Sequence, residues 1–236
     1  MGLPPPFLRL AAVSAGVLLS LSLAAEPAGA GAVQTIAHAS KYPFAGYITP
    51  PTTVTSATAT VSPPSFSCAK KFTAVASGVI VFDPTGSKFS GAEVYVACSA
   101  KKEMLAAYVD IDNSFTAPTV IINPGDTVVL SVTCGSSGIS VSVNDETTSS
   151  SGGRSSSTPE TCTQAEVGDD AVVKGGRSGL VPLPAFGMLD FSAVMVNGST
   201  LGSFGPTAAN YSEGKKNVIT TGALTGGTAF STTKGP

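Results

Sequence analysis

The sequence contains no tryptophan, a single histidine and few charged residues. Charged side chains make up 12% of its 236 residues, and the formal net charge is −2. Proteins that bind nucleic acids carry basic patches, so this composition argues against a nucleic-acid partner. The only histidine, His38, precedes the first predicted strand. A serine–histidine–aspartate site therefore cannot form within the folded domain.

The four cysteines are spaced too widely for a zinc site. None of them forms a C-x-x-C pair, whereas zinc needs clustered thiolates or imidazoles. In an exported protein an even number of cysteines indicates disulfides. Four cysteines allow three pairings, and we favour Cys68–Cys98 and Cys134–Cys162 because each pair joins the ends of neighbouring predicted strands. We expect no metal ion and no cofactor.

The N-terminus is typical of a secretory signal peptide. Arg9 is followed by the apolar stretch LAAVSAGVLLSLSLAA and then by the small residues Ala28 and Ala30. This A-x-A pattern predicts cleavage near Ala30, with Ala39 as a second possible site. The alternative is an uncleaved membrane anchor. We expect a secreted, extracellular protein without residues 1–30, because no later segment is apolar enough to span a bilayer.

The rest of the chain reads as short strands separated by Gly, Pro, Ser and Asn clusters. No segment keeps a helical period for more than two turns, so we predict an all-β protein, an antiparallel sandwich or barrel. A flexible lead-in (31–43) should precede one monomeric domain (44–236), with a mobile loop at 147–160 where no apolar residue occurs. Predicted strands cover 54–62, 77–83, 91–99, 104–112, 118–134 (with a turn at 123–126), 138–146, 186–198, 216–222 and 228–233.

Carboxylates are the main candidates for chemistry. Asp110 and Asp112 resemble the start of a calcium loop, but Phe115 stands where such a loop needs glycine. A polar strand end is the better interpretation of that pair. Glu166 has more suggestive neighbours, because the sequence Gln-Ala-Glu ends at this residue shortly after Cys162.

The surroundings of Glu166 resemble the glutamic peptidase (eqolisin) family. Ala165-Glu166, then Ala185-Phe186-Gly187, then VNGSTLG follow one another as in that family. Shorter similarities run from residue 42 to residue 233, in YPFAGY, SATATVSPPSFSC, INPGDTVVLSV and GALTGGTAFSTT. The resemblance implies a concanavalin-like β-sandwich and a secreted endopeptidase that works in acid.

The resemblance also implies a catalytic pair. The family's glutamate, which activates a water, corresponds to Glu166, and a glutamine on a neighbouring strand should lie within residues 91–99. The residue we align with that glutamine is Val94, whose side chain cannot form a hydrogen bond. Glu93 would then face away from the cleft. A shift of one residue would instead place Glu93 beside Glu166, as two carboxyl groups sharing a proton.

Several functions remain open. The tryptophans of the family's cleft are missing, and we expect Tyr95 and Tyr108 to contact whatever the cleft binds. The favoured hypothesis is a catalytically degenerate, secreted protein that binds a peptide or protein in the former cleft. The alternatives are an acid-active endopeptidase that uses Glu166, a lectin-like module and a structural protein of the cell envelope.

Overall fold

The computed structural model describes residues 43–68, 70–116, 120–172, 180–213 and 216–235. The predicted signal peptide, and all of the predicted lead-in except Pro43, lie outside these residues. In the part of the chain described, strands alternate with turns, and the only helical element is the short 3-10 helix Leu201–Phe204. No helix there is long and apolar enough to cross a membrane.

One sheet contains seven strands: β1 (Phe44–Ile48), β3 (Thr73–Phe82), β4 (Phe89–Ser99), β5 (Lys102–Ile111), β6 (Ser114–Thr116), β10 (Gln164–Ala171) and β13 (Thr207–Ala209). They lie in the order β13-β1-β10-β3-β4-β5-β6, so β10 and β3 are central. All neighbouring strands pair antiparallel.

The second sheet contains nine strands: β2 (Ser56–Ser62), β7 (Val128–Gly135), β8 (Gly138–Asp145), β9 (Ser150–Ser156), β11 (Met188–Val196), β12 (Ser199–Thr200), β14 (Tyr211–Glu213), β15 (Lys216–Thr221) and β16 (Phe230–Lys234). Eight of them lie in the order β14-β15-β16-β11-β2-β7-β8-β9, and β12 pairs with β11. Strands β2, β11 and β16 form the part of this sheet nearest its middle.

The two sheets pack face to face around one apolar core. Strand β8 shows why: Ile139, Val141 and Val143 are buried, while the serines between them are exposed. Successive side chains of a strand point to opposite faces, so this alternation gives the sheet one apolar side. Residues such as Val79 and Val94 supply the facing side from the seven-stranded sheet. The predicted all-β antiparallel sandwich is confirmed.

The predicted mobile loop at 147–160 is wrong, because half of it forms β9. This strand pairs in register with β8 along its whole length, from Ser150 opposite Asp145 to Ser156 opposite Ile139. Backbone hydrogen bonds hold β9 without apolar side chains, and its position at the sheet edge leaves the serines in water. Arg154 Nη1 also donates a hydrogen bond of 2.7 Å to the Ser114 carbonyl of the other sheet.

The predicted turn at 123–126 is present, but the described residues 120–122 directly before it form no strand. Asp126 accepts a hydrogen bond of 2.7 Å from the Asn123 amide, and Gly125 takes φ of +85°. Residues 120–122 are extended without pairing in a sheet, so the strand predicted over 118–134 begins only at Val128. Alternating apolar residues before the turn reflect packing against the core, where Val120 and Ile122 are buried.

Both predicted disulfides form. Cys68 bonds to Cys98 and Cys134 bonds to Cys162, with no free cysteine among the residues described. The second disulfide ties β7, which contains Cys134, to the segment that leads into β10, which contains Cys162. The backbone of Cys162 also pairs with Val54 in an isolated β-bridge. The chain that carries Glu166 is therefore anchored covalently to the other sheet.

Replacing Cys134 and Cys162 together by alanine should lower the free energy of unfolding by about 3–4 kcal/mol. The bridge closes a loop whose ends are 28 residues apart, and a loop of that length gains about this much from the restricted unfolded chain. Urea unfolding followed by circular dichroism measures the change. A loss below about 1 kcal/mol would contradict this role of the bridge.

Candidate functional site

Glu166 lies in the middle of the seven-stranded sheet. In β10 it is opposite Ile48 of β1 on one side and Ile80 of β3 on the other. Its side chain is half-buried. The neighbouring residues Ala165 and Val167 are buried in the core between the sheets. Because strand residues alternate, Glu166 points to the opposite side, away from the nine-stranded sheet. We call this side of the seven-stranded sheet the site face.

Glu93 also lies on the site face. It belongs to β4, where it is opposite Gly78 of β3, and its side chain is only 2% exposed. Val94 is fully buried in the core between the sheets. The expectation that Glu93 faces away from the side that carries Glu166 is therefore wrong. Of the adjacent residues Glu93 and Val94, Glu93 is the one that faces the same side as Glu166.

One strand, β3, separates the two glutamates. Glu166 is opposite Ile80, and Glu93 is opposite Gly78, two residues along the same strand. With strands about 4.8 Å apart and about 3.3 Å per residue, the Cα atoms of the glutamates are about 12 Å apart. Two glutamate side chains that lean towards each other across β3 can reach one small molecule between them. Gly78 contributes no side chain to block that path.

Gly78 is required by the close approach of β3 and β4. A Cβ atom at this position would lie 2.1 Å from the Ala92 carbonyl oxygen and 2.8 Å from the Glu93 Cα. Both contacts are too short for real atoms, and both partners are backbone that cannot rotate away. The glycine therefore sets how near Glu93 lies to the centre of the site face.

Gly78→Ala should destabilise the fold by about 1–3 kcal/mol, which is typical of overpacking, and should displace Glu93. Gly135→Ala is the matched control, because a Cβ there meets nothing within 4 Å. Urea unfolding of the two variants measures the difference. Equal stabilities would show that β3 and β4 adjust without strain.

Tyr95 and Tyr108, the predicted ligand contacts, lie together next to Glu93 on the site face. Tyr108 of β5 is directly opposite Glu93. The two tyrosine rings pack with their centroids 4.4 Å apart. Burial raises the pKa of the Tyr108 hydroxyl above its ordinary value. In acid and at neutral pH this hydroxyl is a neutral hydrogen-bonding group beside the carboxyl of Glu93.

Two further carboxyl groups share the site face. Asp110 of β5 is opposite Gly91, and Asp170 of β10 is opposite Ala76. Both side chains are buried. Asp170 could have been placed from the sequence, because it lies four residues after Glu166 and strand residues repeat every second position. Asp169 points the other way, into the core between the sheets.

Asp110 and Asp112, which resemble the start of a calcium loop in the sequence, do not form a metal site with other side chains described here. Asp112 forms an ion pair with Lys88, with 3.3 Å between Oδ2 and Nζ. Glu160 lies near them, and its pKa is raised by burial and by the charge of Asp112. Asp83 closes its own turn by accepting hydrogen bonds from the backbone amides of Ser87 and Lys88. Among the residues described, no three or more His, Cys, Asp or Glu side chains are placed to hold a metal ion.

The sequence matches the profile of the Peptidase A4 family over residues 43–234. The chain belongs to the Peptidase A4 family. This match spans both sheets and every residue of the site face discussed above. Among individually curated protein sequences, none matches significantly.

Solved structures of glutamic peptidases share the fold of this Peptidase A4 family member. Scytalido-glutamic peptidase with a transition-state analogue inhibitor aligns with a TM-score of 0.69 at 16% identity, over 82% of this chain and 98% of that chain. SCP-B, an eqolisin in complex with the tripeptide Ala-Ile-His, gives 0.64 at 17%, over 82% and 98%. Aspergilloglutamic peptidase from Aspergillus niger gives 0.60 at 18%, over 69% and 99%. The resemblance to glutamic peptidases is confirmed.

Proposed function

We propose that this Peptidase A4 family member is a secreted endopeptidase active in acid, with Glu166 and Glu93 as its catalytic pair. The observation that carries the proposal is the position of both glutamates on the site face, on either side of β3 at Gly78. The side chain on the site face beside Gly78 is that of Glu93 and not that of Val94, which supports a catalytic pair over a degenerate cleft.

The different burial of the two glutamates supports different roles for them. Glu93 is 2% exposed, and burial favours the uncharged form of a carboxyl group. Glu166 is half-exposed, so water can stabilise its charge. Two carboxyl groups in unequal surroundings divide into an acid and a base, as in other acid-active hydrolases. We assign Glu166 as the base and Glu93 as the proton-bearing partner.

A protonated glutamate can replace a glutamine in the reaction that the family resemblance implies. Its O–H group donates a hydrogen bond and its carbonyl accepts one, which is the pattern of donor and acceptor in an amide. Glu93 in acid can thus orient a water and stabilise the oxyanion. Above the pH at which it ionises it loses the donor and repels Glu166. The glutamate pair would consequently confine activity to acid.

The reaction then follows from these roles. Glu166 takes a proton from the water while the water oxygen bonds to the scissile carbonyl carbon, and the carbonyl oxygen accepts a hydrogen bond from Glu93. Glu166 next gives the proton to the amide nitrogen, and the carbon–nitrogen bond breaks. The products are a carboxylic acid and an amine. No cofactor is consumed.

The substrate we propose is an extended stretch of peptide that lies across the site face. Tyr95 and Tyr108 offer an aromatic surface beside Glu93 for a side chain of that peptide. Two disulfides are consistent with work outside the cell, where such bonds persist. Cleavage near Ala30 would release the protein from its signal peptide.

Hydrolysis of a denatured protein by the chain without residues 1–30, at pH 2 to 7, tests this function. We expect new peptide N-termini to appear in acid and to vanish towards neutral pH. Absence of cleavage by a sample shown to be folded would contradict the proposal. The protein would then be better described as a degenerate family member that binds peptides without cutting them. Binding of the same denatured protein to the folded, immobilised sample would measure that activity.

A further inference from the structure

Asp169 is a buried carboxyl group that the proposed reaction does not use. It lies in β10 between Gly168 and Asp170, and its side chain is 0% exposed. Placing a charge in such a site is strongly unfavourable unless partners compensate it. Its neighbours along the strand on that side, Val167 and Ala171, belong to the apolar core.

Two hydroxyl groups from different sheets bind this carboxyl. The Ser77 hydroxyl of β3 donates a hydrogen bond of 2.6 Å to Oδ1. The Thr232 hydroxyl of β16 donates a hydrogen bond to Oδ2. Asp169 thus links β10 in one sheet to β16 in the other across the core. A hydroxyl group can donate or accept, so the same pair of partners also suits the protonated acid.

The surroundings contain little to balance a negative charge. Burial raises the pKa of Asp169 from its ordinary value of 3.8 to about 7, although the hydrogen bonds from Ser77 and Thr232 lower it. The titratable residue of β1 is Tyr47, opposite Val167, and that of β16 is Lys234, at the end of the strand and opposite Ile219. The core-facing residues of β3, β11 and β15 are uncharged there: Val75, Ser77, Val79, Leu189, Phe191, Ile219 and Thr221.

Tyr47 does not change charge between acid and neutral pH. Burial raises the pKa of Tyr47 above its ordinary value of 10.0, so this residue stays neutral in acid and at neutral pH. Asp169 is therefore the group at this contact whose charge changes between acid and neutral conditions.

We propose that Asp169 is a pH-sensitive clamp between the two sheets. Protonated, it holds β10 against β16 through Ser77 and Thr232. Ionised, it leaves an uncompensated charge in the core and loosens that contact. The strand it controls carries Glu166, three residues away, so the site face is firmly held only in acid. The clamp concerns stability and stands whether or not the protein cleaves peptides.

The sign of the effect follows from the direction of the shift. The unfolded chain loses the Asp169 proton near pH 3.8, while the folded chain keeps it up to about pH 7. The stabilisation is complete below pH 3.8 and is lost as the pH rises towards 7. One such group lowers the folding equilibrium constant roughly tenfold per pH unit, or roughly 1,000-fold over the whole window.

Urea unfolding of the purified protein and of Asp169→Asn, at pH 4 to 8, tests the clamp. Asparagine has the same shape and similar hydrogen bonds but no charge. The natural protein should lose roughly 1,000-fold in its folding constant relative to the variant as the pH rises. Parallel curves for the two proteins would overturn the proposal.

Asp145→Asn is a control of opposite sign. Burial acts to raise the pKa of Asp145, but hydrogen bonds from the Thr148 hydroxyl and from the amides of Thr148 and Thr147 lower it overall. Its substitution should cost stability at neutral pH and little in strong acid. If Asp169→Asn does not fold, hydrogen exchange of the natural protein decides. Amides of β10 and β16 should lose protection between pH 5 and 8 relative to those of β7 and β8, and a uniform change would contradict the clamp.

Discussion

Glu166→Gln is expected to reduce the rate of peptide hydrolysis in acid by roughly 10²–10⁴-fold, the usual contribution of a general base. The substitution keeps the size and shape of the side chain while removing its ability to take a proton from water. Glu166 is a half-buried residue of β10, so the amide fits without new packing. The measurement is kcat/KM on one peptide at the pH of highest activity.

The matched control for this loss is Glu146→Gln. Glu146 is exposed and follows the end of β8, outside the site face. The same chemical change there should leave kcat/KM unaltered. If Glu166→Gln kept the activity of the natural protein, Glu166 would not be the general base. Another carboxyl group of the site face would then have to take that role.

Substitutions of Glu93 should separate its hydrogen-bonding role from its charge. Glu93→Gln supplies the donor and acceptor of an amide at every pH, so we expect cleavage to persist. The pH at which activity falls should be higher than in the natural protein. Glu93→Leu fills the same buried space without a donor. It should lose about 10²–10³-fold, as when one oxyanion donor is removed.

The pH profile distinguishes this role from a structural one. Loss of stability would lower activity in both variants at all pH values, whereas the proposed role removes the ionisation of residue 93 from both pH profiles and preserves high activity only in Glu93→Gln. The profile of kcat/KM reports the ionisation of the free enzyme and is the quantity to compare. Full activity of Glu93→Leu would remove Glu93 from the mechanism.

The sandwich and its two disulfides could be predicted because their signals are local. Alternation such as Ile139, Val141 and Val143 assigns one face of a strand to the core. Strand β9 could not be predicted in this way, since an edge strand of serine and glycine is held by the backbone of β8 and has no apolar face. Its existence depends on a partner strand rather than on its own composition.

The side of the sheet to which Glu93 of β4 points was predicted incorrectly from the sequence. Both faces of this strand are buried, so composition alone does not tell which side belongs to the core. The useful signal was the run Ala92, Val94 and Val96, which packs between the sheets. Residues that alternate with this run, including Glu93, must face the other way. A comparison aligned one residue off reverses the conclusion about catalysis.

The role of Asp169 lies beyond what the sequence can show. It stands in the pair Asp169-Asp170, which the sequence presents as two equivalent acids before a strand. Alternation puts one on the site face and the other in the core, but only the packing of β16 brings Thr232 to the buried one. Residues 63 positions apart meet there through the contact between sheets.

A crystal structure of the protein in acid, at a resolution that shows ordered water, tests the central claim most directly. The claim is that Glu93 and Glu166 form one site across β3. We predict a single water within hydrogen-bonding distance, about 2.6–3.2 Å, of a carboxyl oxygen from each residue. Glutamate side chains that turn away from each other, with no water between them, would contradict it.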